Sequence, residues 1–311
     1  MAWGKWRYKF VSCKSEATYG TNAAPSYATD VVYAENVSLQ PAASETVERR
    51  VDIGRASHTV THQVRRRAVL TMDIPMTTSG VAGTPPAYGH ILQACGMAET
   101  IVAGETVTYT PVDAEPASVT LIVRIDGMSQ TIRGCRGTWT ISGTIPGPLY
   151  MQVVLTGLYE DPTPGAVPVG MPTVTRGKVN MLSEPLTSVT LAAADLSATA
   201  FEIALGNAVN PTETASVREV RIVARDPSGT ITTEADLAAV NHFAIASAET
   251  EQTLTITHGT GADRIVIGSA AAKLGEITPA EVNSATGLQI PLTMRSTTTA
   301  PDLSITFGTA A

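Results

Sequence analysis

A run of twenty residues, "SHTVTHQVRRRAVLTMDIPM" at 57–76, limits what this chain can fold into more than any other feature. It has no glycine, its one proline stands next to last, and β-branched residues alternate with polar ones, which is the pattern of a strand. At about 3.3 Å per residue the strand would extend roughly 65 Å, several times the usual length. A compact monomer has little use for it, because its edges and apolar face would promote aggregation.

The two faces of this strand differ in chemistry. Apolar side chains occupy even positions, namely Val60, Val64, Leu70, Met72 and Ile74, and we expect them to pack on an outer layer of the fold. The odd positions begin with the small or neutral polar side chains Ser57, Thr59, Thr61 and Gln63. Arg65 and Arg67 share the odd face, so this face is not uniformly neutral along the strand.

Composition favours a mainly β fold in a protein without strong electrostatic partners. Of the 311 residues 16% are charged and 5% are aromatic, and Thr, Ala and Val are abundant. The formal charge of −7 argues against binding nucleic acid or anionic membranes through bulk charge. Three cysteines without a CxxC pair are typical of a reducing compartment. Neither a signal peptide nor a membrane helix is visible, so we expect cytoplasmic synthesis and no membrane insertion.

The order of patterns divides the chain into an N-terminal arm (1–30), a first β domain (31–160), a Pro/Gly-rich linker (161–172) and a second β domain (173–311). The second domain reads as a diverged repeat: "AFEIALGNAVNPTETASVREVRI" resembles "DVVYAENVSLQPAASETVERRVDI", and "LQIPLTM" answers "MQVVLTG". The same patterns predict a hairpin that turns at Asp126-Gly127.

One short helix is predicted within "TPPAYGHILQACGMAE". Thr84 would cap it, Pro85 and Pro86 would occupy its first turn, and Gly96 would follow its end. Its apolar residues, among them Cys95, would share one face and cover an open edge of a barrel or sandwich.

No set of residues suggests catalysis, a cofactor or a metal. His58 and His62 would lie about 13 Å apart along a strand, too far to share a zinc ion. Nucleophile-elbow, P-loop and zincin motifs are absent, and the glycines of "GTGADRIVIG" precede a strand instead of following one. Cys95 reads as a core residue. We therefore expect no enzyme.

Two features suggest contacts with other molecules. The run Arg65, Arg66 and Arg67 is the strongest charge feature, and we interpret it as a subunit contact; a solvated face and a nucleic-acid contact are the alternatives. The aromatic arm with Trp3, Trp6, Tyr8 and Phe10 reads as a clasp onto a neighbour, because exposed apolar groups often mark interaction surfaces. A terminal strand docked on its own domain would explain the arm equally well.

The order of these pieces resembles the major tail tube proteins of bacteriophages with long, non-contractile tails. The resemblance covers residues 1–160 in order, and its most specific part is "PAYGHILQACGMAET" followed by "VTYTP". The C-terminal half matches more weakly, through "AFEIALGNAV", "RDPSGTITTEA" and "IPLTMRSTTTAPDLSITFG".

The resemblance implies a mainly β fold: a β-sandwich or barrel-like tube domain with short helices and extended arms, whose subunits close a continuous inner β-barrel. Rings with six domain positions would stack into a hollow tube for double-stranded DNA, and the protein would work in the virion tail with tail terminator, tail tip and tape-measure proteins. Two tube domains per chain favour a trimeric, pseudo-sixfold ring over a hexamer.

Under this interpretation Ser57, Thr59, Thr61 and Gln63 face the lumen, while Arg65, Arg66 and Arg67 lie at a ring edge. Two alternatives remain open. One is a β-rich binding module of the immunoglobulin type, which would stay monomeric. The other is the tube of a phage-derived particle, which obeys the same physics.

Overall fold

A computed structural model describes residues 8–50, 59–166, 168, 177–178, 181–183, 185–237 and 240–308. The fold is mainly β, as the sequence predicted, with large antiparallel sheets and little helix.

The strands of the first part of the chain are β1 (Lys9–Ser15), β2 (Val31–Val32), β3 (Glu35–Arg50), β4 (Thr59–Pro75), β5 (Met97–Val102), β6 (Thr106–Pro111), β7 (Val119–Ile125), β8 (Gly127–Thr144), β9 (Gly147–Leu158) and β10 (Thr163–Gly165). Those of the second part are β11 (Met181–Leu182), β12 (Thr187–Leu191), β13 (Ala194–Asp195), β14 (Ala198–Ala204), β15 (Asn207–Glu213), β16 (Arg218–Arg225), β17 (Ser228–Glu234), β18 (Glu251–His258), β19 (Ile265–Leu274), β20 (Thr278–Val282), β21 (Ala285–Met294) and β22 (Ser304–Gly308). The helices are α1 (Gly89–Ala94) and α2 (His242–Ser247), and a 3₁₀ turn spans Gly261–Asp263.

Eight strands form one continuous antiparallel layer in the order β3-β4-β9-β8-β14-β17-β21-β20, which we call the central sheet. The long alternating run is β4, and it pairs with β3 on one side and with β9 on the other. The pairing of β8 with β14 joins the strands of the first and second parts of the chain. The hairpin predicted at Asp126-Gly127 is confirmed as β7–β8.

The same set of pairings occurs twice along the chain. β1 pairs with β2 and β7, as β12 pairs with β13 and β18. The strand order β3-β4-β9-β8 is matched by the order β14-β17-β21-β20. The end of β19 also pairs with β21, on the same edge as β20. Finally, β10 pairs with the start of β8 as β22 pairs with the start of β19. The hairpin β5–β6 has no counterpart among the described strands, and β10 falls in the segment that the sequence suggested as a linker.

One face of the central sheet packs into the core. Leu70, Met72 and Ile74 are at most 1% exposed, as predicted for the even face of β4. The prediction fails for Val60, which is 37% exposed, because β9 ends at the partner of Arg67 and β4 then pairs with β3 alone. A single cluster of buried side chains from both parts of the chain forms the core.

The predicted start of the helix was wrong. α1 begins at Gly89 after Tyr88, with no side-chain cap, and Pro86 accepts a turn hydrogen bond from Gly89 N. Pro86 explains the late start, because a proline disfavours the helical conformation of the residue before it, here Pro85. Tyr88, next to the helix, donates its buried hydroxyl to the carbonyl of Thr77. Gly96 follows the helix with φ +83°, as predicted for a residue in the left-handed region.

Candidate functional site

The second face of the central sheet is open within the chain and carries mostly uncharged polar and small side chains. Residues directly opposite each other on paired strands share a face, so the register defines rows that cross the sheet. One row is Asp73, Gln152, Thr140, Ala204, Ser228 and Thr293, and the next is Pro75, Tyr150, Ser142, Glu202, Thr230 and Pro291. We call this surface the polar face.

Carboxylates are the charges in the middle of the polar face. Asp73 accepts hydrogen bonds from Asn36 Nδ2 at 2.8 Å and from Gln152 Nε2 at 3.1 Å, which hold it in place. The hydroxyl of Tyr150 donates to Glu35 at 3.0 Å, and this bond raises the pKa of Tyr150. Glu202 is exposed in the adjoining row. Hydroxyls, amides and carboxylates predominate on this surface and do not retain phosphate groups. The first row continues from Thr293 to Lys273 of β19, whose ammonium pairs with Glu249 at 2.9 Å.

Beyond the end of β9 the strands β3 and β4 continue as a two-stranded ribbon, which we call ribbon 1. Its described side chains are mostly exposed, including Val47 at 52%. The β3–β4 register shifts on both sides of the Ala43–Arg67 pair, and Arg65 has φ +51°, so alternation does not run unbroken from β4 into the ribbon.

Three of the predicted lumen residues, Thr59, Thr61 and Gln63, fall on ribbon 1. Thr61 and Gln63 are exposed there, Thr59 pairs with Arg50, and Ser57 lies outside the described residues, as does His58. Because of the register shift, this group and the polar face need not point the same way. Their lumen position therefore stays a prediction.

The three arginines lie at the base of ribbon 1. Arg65 and Arg67 both contact Glu45, at 3.1 and 3.4 Å, and the guanidinium of Arg66 lies 5.8 Å from the ring centroid of Tyr159. Exposed ion pairs such as those with Glu45 contribute little to stability. The guanidinium groups can therefore exchange Glu45 for another partner at small cost.

A second ribbon, β15–β16, which we call ribbon 2, meets the base of ribbon 1. The two ribbons border a cleft lined by Arg65, Arg66, Arg67, Arg133, Arg218, Glu213 and Glu219, among others. Arg133 contacts Glu160 and Arg218 contacts Glu213. The sequence singled out Arg65, Arg66 and Arg67, but it gave no sign of their grouping with Arg133 and Arg218, which are distant along the chain.

A buried arginine anchors ribbon 2 to the first part of the chain, and the sequence analysis missed it. The Arg136 side chain is 4% exposed. Its guanidinium donates to the carbonyls of Val220 and Pro116 at 2.9 and 2.8 Å and contacts Glu115 at 3.0 Å. It also lies 4.7 Å from the ring centroid of Tyr19, whose pKa burial raises to about 12. Ribbon 2 is thus held in place by a charged group from β8.

Part of the aromatic arm is described. Tyr8 is 51% exposed, whereas Phe10 belongs to β1, where its ring packs at a tilt against Tyr27 with centroids 4.8 Å apart and lies under Arg124. The contacts of Phe10 are thus made within its own chain. Trp3 and Trp6 lie outside the described residues.

The three cysteines lie in the core. Cys13, Cys95 and Cys135 are free and buried, and burial raises the pKa of each thiol, which disfavours the reactive thiolate. In the described ranges no group of three His, Cys, Asp or Glu side chains is arranged to hold a metal ion. Nor does any described helix have the length and apolar character needed to cross a bilayer.

The comparisons with known proteins agree with this picture. The sequence profile of the family described as "Phage tail tube protein" matches residues 9–305, nearly the whole chain. No curated protein matches the chain. Because the profile spans far more than half of the sequence, the chain belongs to the phage tail tube protein family, whose members are structural components of the virion tail that assemble into a tube with other tail proteins.

Proposed function

We propose that this chain is the major tail tube subunit of a bacteriophage with a long, non-contractile tail. Three copies form a ring with two tube domains each, rings stack into a hollow tube, and the genome passes through it. The subunit is made in the host cytoplasm, and the tube joins the terminator, tail tip and tape-measure proteins. The observation that carries this proposal is the repeated strand pairing of β3-β4-β9-β8 in β14-β17-β21-β20.

Strand number supports a ring of several copies. Eight strands closed on themselves leave an interior that side chains fill, so one chain alone provides no channel. Three copies contribute three times eight strands. At a spacing of about 4.8 Å and a tilt of about 40°, they close a barrel with a backbone diameter of roughly 48 Å. Such a barrel leaves an aqueous channel wide enough for double-stranded DNA.

The chemistry of the polar face supports a lumen on that side of the central sheet. Asp73 and Glu202 lie on it among hydroxyl and amide groups, whereas the arginines of ribbon 1 stand at one end of the sheet. Carboxylates repel the phosphate backbone and hydroxyls do not retain it, so DNA would slide instead of binding. We extend the lumen to Ser57, Thr59, Thr61 and Gln63 as the sequence suggested.

We assign the contacts between copies to the base of ribbon 1 and to the aromatic arm. Arg65, Arg66 and Arg67, with the cleft beside them, would receive acidic groups of a neighbouring subunit or ring, since arginine binds carboxylates with two parallel hydrogen bonds. Trp3, Trp6, Tyr8 and Phe10 would form the clasp at the chain's start, with Phe10 positioning the arm on its own domain.

The test is size-exclusion chromatography with light scattering, followed by negative-stain microscopy of the same fractions. We expect rings with threefold averages, or hollow rods. Sixfold averages from six chains would replace the trimer by a hexamer. A monomer at every concentration, with or without tail tip proteins, would reject the tube proposal and favour a binding module.

A further inference from the structure

We propose that the edge of β20 pairs antiparallel with the edge of β3 in the next copy of this chain, with Ala280 directly opposite Ser38. This inference rests on the proposed function, and it specifies how the ring closes. Both edges lack a second strand partner in the described part of the chain: β3 pairs with β4, and β20 pairs with β21. Side chains of the same chain reach two carbonyls of β3, from Lys9 to Val37 and from Gln130 to Pro41. Open edges of a sheet expose backbone groups that pair with another strand.

The chain contains its own template for this junction. Within one copy, the last strand of the first set, β8, pairs antiparallel with the first strand of the second set, β14. In that pairing Ser142 lies opposite Glu202. Leu205 N donates to Trp139 O at 3.0 Å, and Ile145 N donates to Thr199 O at 2.8 Å. The pairs Trp139–Leu205 and Ile145–Thr199 are therefore hydrogen-bonded, and hydrogen-bonded and non-hydrogen-bonded pairs alternate between them. Ser142 and Glu202 therefore form a non-hydrogen-bonded pair, in which Cα atoms lie about 4.5 Å apart.

The register on the β20 side follows from the hairpins. The stretch "MQVVLTG" in β9 corresponds to "LQIPLTM" in β21, which makes Tyr150 equivalent to Gly287. Tyr150 pairs with Ser142. Gly287 pairs with Ala280. Ala280 is therefore the equivalent of Ser142.

The register on the β3 side follows from the same correspondence. The row that starts at Val154 of β9 and crosses β4 ends at Ser38 of β3. The row that starts at the equivalent Pro291 of β21 and crosses β17 ends at Glu202 of β14. Ser38 is therefore the equivalent of Glu202, and the pair Ser142–Glu202 becomes Ala280–Ser38 between copies.

The backbone groups of both edges suit this register. The carbonyl of Val37 points away from β4 and accepts a hydrogen bond from Lys9 Nζ at 3.0 Å, as expected for an outward group. Val37 would exchange both backbone bonds with Glu281, and the amide of Leu39 would donate to the carbonyl of Pro279. Pro279 has no N–H, and proline in a sheet is confined mainly to edge strands, where it also discourages unwanted pairing.

Charge adds a second element of recognition. Glu281 is exposed on β20, and in the proposed register it lies opposite Val37, whose carbonyl holds the Lys9 ammonium. The carboxylate of one copy would thus meet the ammonium of the next. A one-residue slip would remove this contact and would turn the polar face of β3 toward the core.

Disulfide cross-linking of assembled tubes tests the register. In the variant Ser38→Cys with Ala280→Cys, mild oxidation should link copies and, on a non-reducing gel, give a series that ends at three subunits. The native cysteines are buried and free, so they should not interfere. Ser142→Cys with Glu202→Cys is the matched internal control, because it reproduces the same pair type inside one chain and should link without forming oligomers.

Two results would overturn the inference. The first is stronger linkage when Ser38→Cys is combined with Thr278→Cys or Val282→Cys, which are two residues out of register, than when it is combined with Ala280→Cys. The second is absence of linkage in tubes that are normal by electron microscopy while the internal control links fully. Either result leaves the tube function standing, since tubes are present, whereas failure of the unsubstituted chain to form rings or rods rejects the proposed function itself. A series that ends at six subunits upholds the pairing and rejects the trimer.

A charge swap gives an independent readout. Glu281→Lys alone and Lys9→Glu alone should each slow assembly, and the two together should restore it toward the original rate. If the double variant assembles no faster than the slower single variant, the contact between these side chains is not part of the junction.

Discussion

Arg136 offers the sharpest test of how the two parts of the chain are held together. Replacement by Met keeps most of the side-chain volume but removes the bonds to the Val220 and Pro116 carbonyls and the contact with Tyr19. A buried acceptor left unsatisfied costs about 1–3 kcal/mol. The lost cation–π contact adds about 1 kcal/mol. The substitution also removes a buried charge and the Arg136 Nε, which has no hydrogen-bond partner in the described structure. This gain offsets part of the loss in stability. We expect a net loss of about 3 kcal/mol.

The matched control is Arg133→Met, on the same strand. The Arg133 side chain is 40% exposed and pairs with Glu160, so its loss should cost less than about 1 kcal/mol. The assay is urea unfolding of the dilute, unassembled subunit followed by circular dichroism. Arg136→Lys should fall between the two, because lysine keeps the charge but cannot form the planar set of bonds. Equal midpoints for Arg136→Met and Arg133→Met would refute the role of Arg136 as the anchor of ribbon 2.

Three further predictions concern the tube. Glu202→Lys should leave assembly intact but slow DNA ejection, because it places a cation on the polar face. The control Asp195→Lys, on β13, should change neither assembly nor ejection. Equal ejection rates for the two variants would place Glu202 outside the lumen. Arg65→Glu with Arg67→Glu should reduce tube yield by an order of magnitude or more, measured by sedimentation, and normal tubes with altered ejection would place both residues in the channel instead. Deletion of residues 2–7 should abolish tube growth with an unchanged melting temperature, and an equal yield of tubes would reject Trp3 and Trp6 as parts of the clasp.

Local patterns predicted the elements whose partners are close along the chain. The β7–β8 hairpin follows from the Asp126-Gly127 turn between two β-branched runs, and β4 follows from strict alternation. The helix start was missed because Pro85 and Pro86 were both assigned to a first turn, whereas Pro86 disfavours the helical conformation at Pro85 and the helix begins at Gly89.

The site was less accessible to sequence reasoning for two physical reasons. First, a register shift near Arg65 breaks the alternation from which the odd face of β4 was predicted. Arg65 has φ +51° although it is not glycine, so its residue type gives no local signal of the shift. Second, the arginine cleft and the Arg136 anchor join residues that are distant along the chain, such as Arg136 and Val220 at a separation of 84. Only the order of the sheet brings them together.

The repeated pairings also suggest why a single chain would carry two domains. In the proposed ring, every second junction is the covalently linked β8–β14 pair, which forms at an effective concentration no separate subunit reaches. Only the β20–β3 junctions then depend on subunit concentration. The two sets are free to diverge, and they have: ribbon 1 is longer than ribbon 2, and the β5–β6 hairpin occurs once among the described strands, where it pairs with β22 of the second set. A ring of such chains has threefold and not sixfold contacts with the next ring. Equivalent stacking orientations would therefore recur every third of a turn, half as often as in a ring of six identical domains.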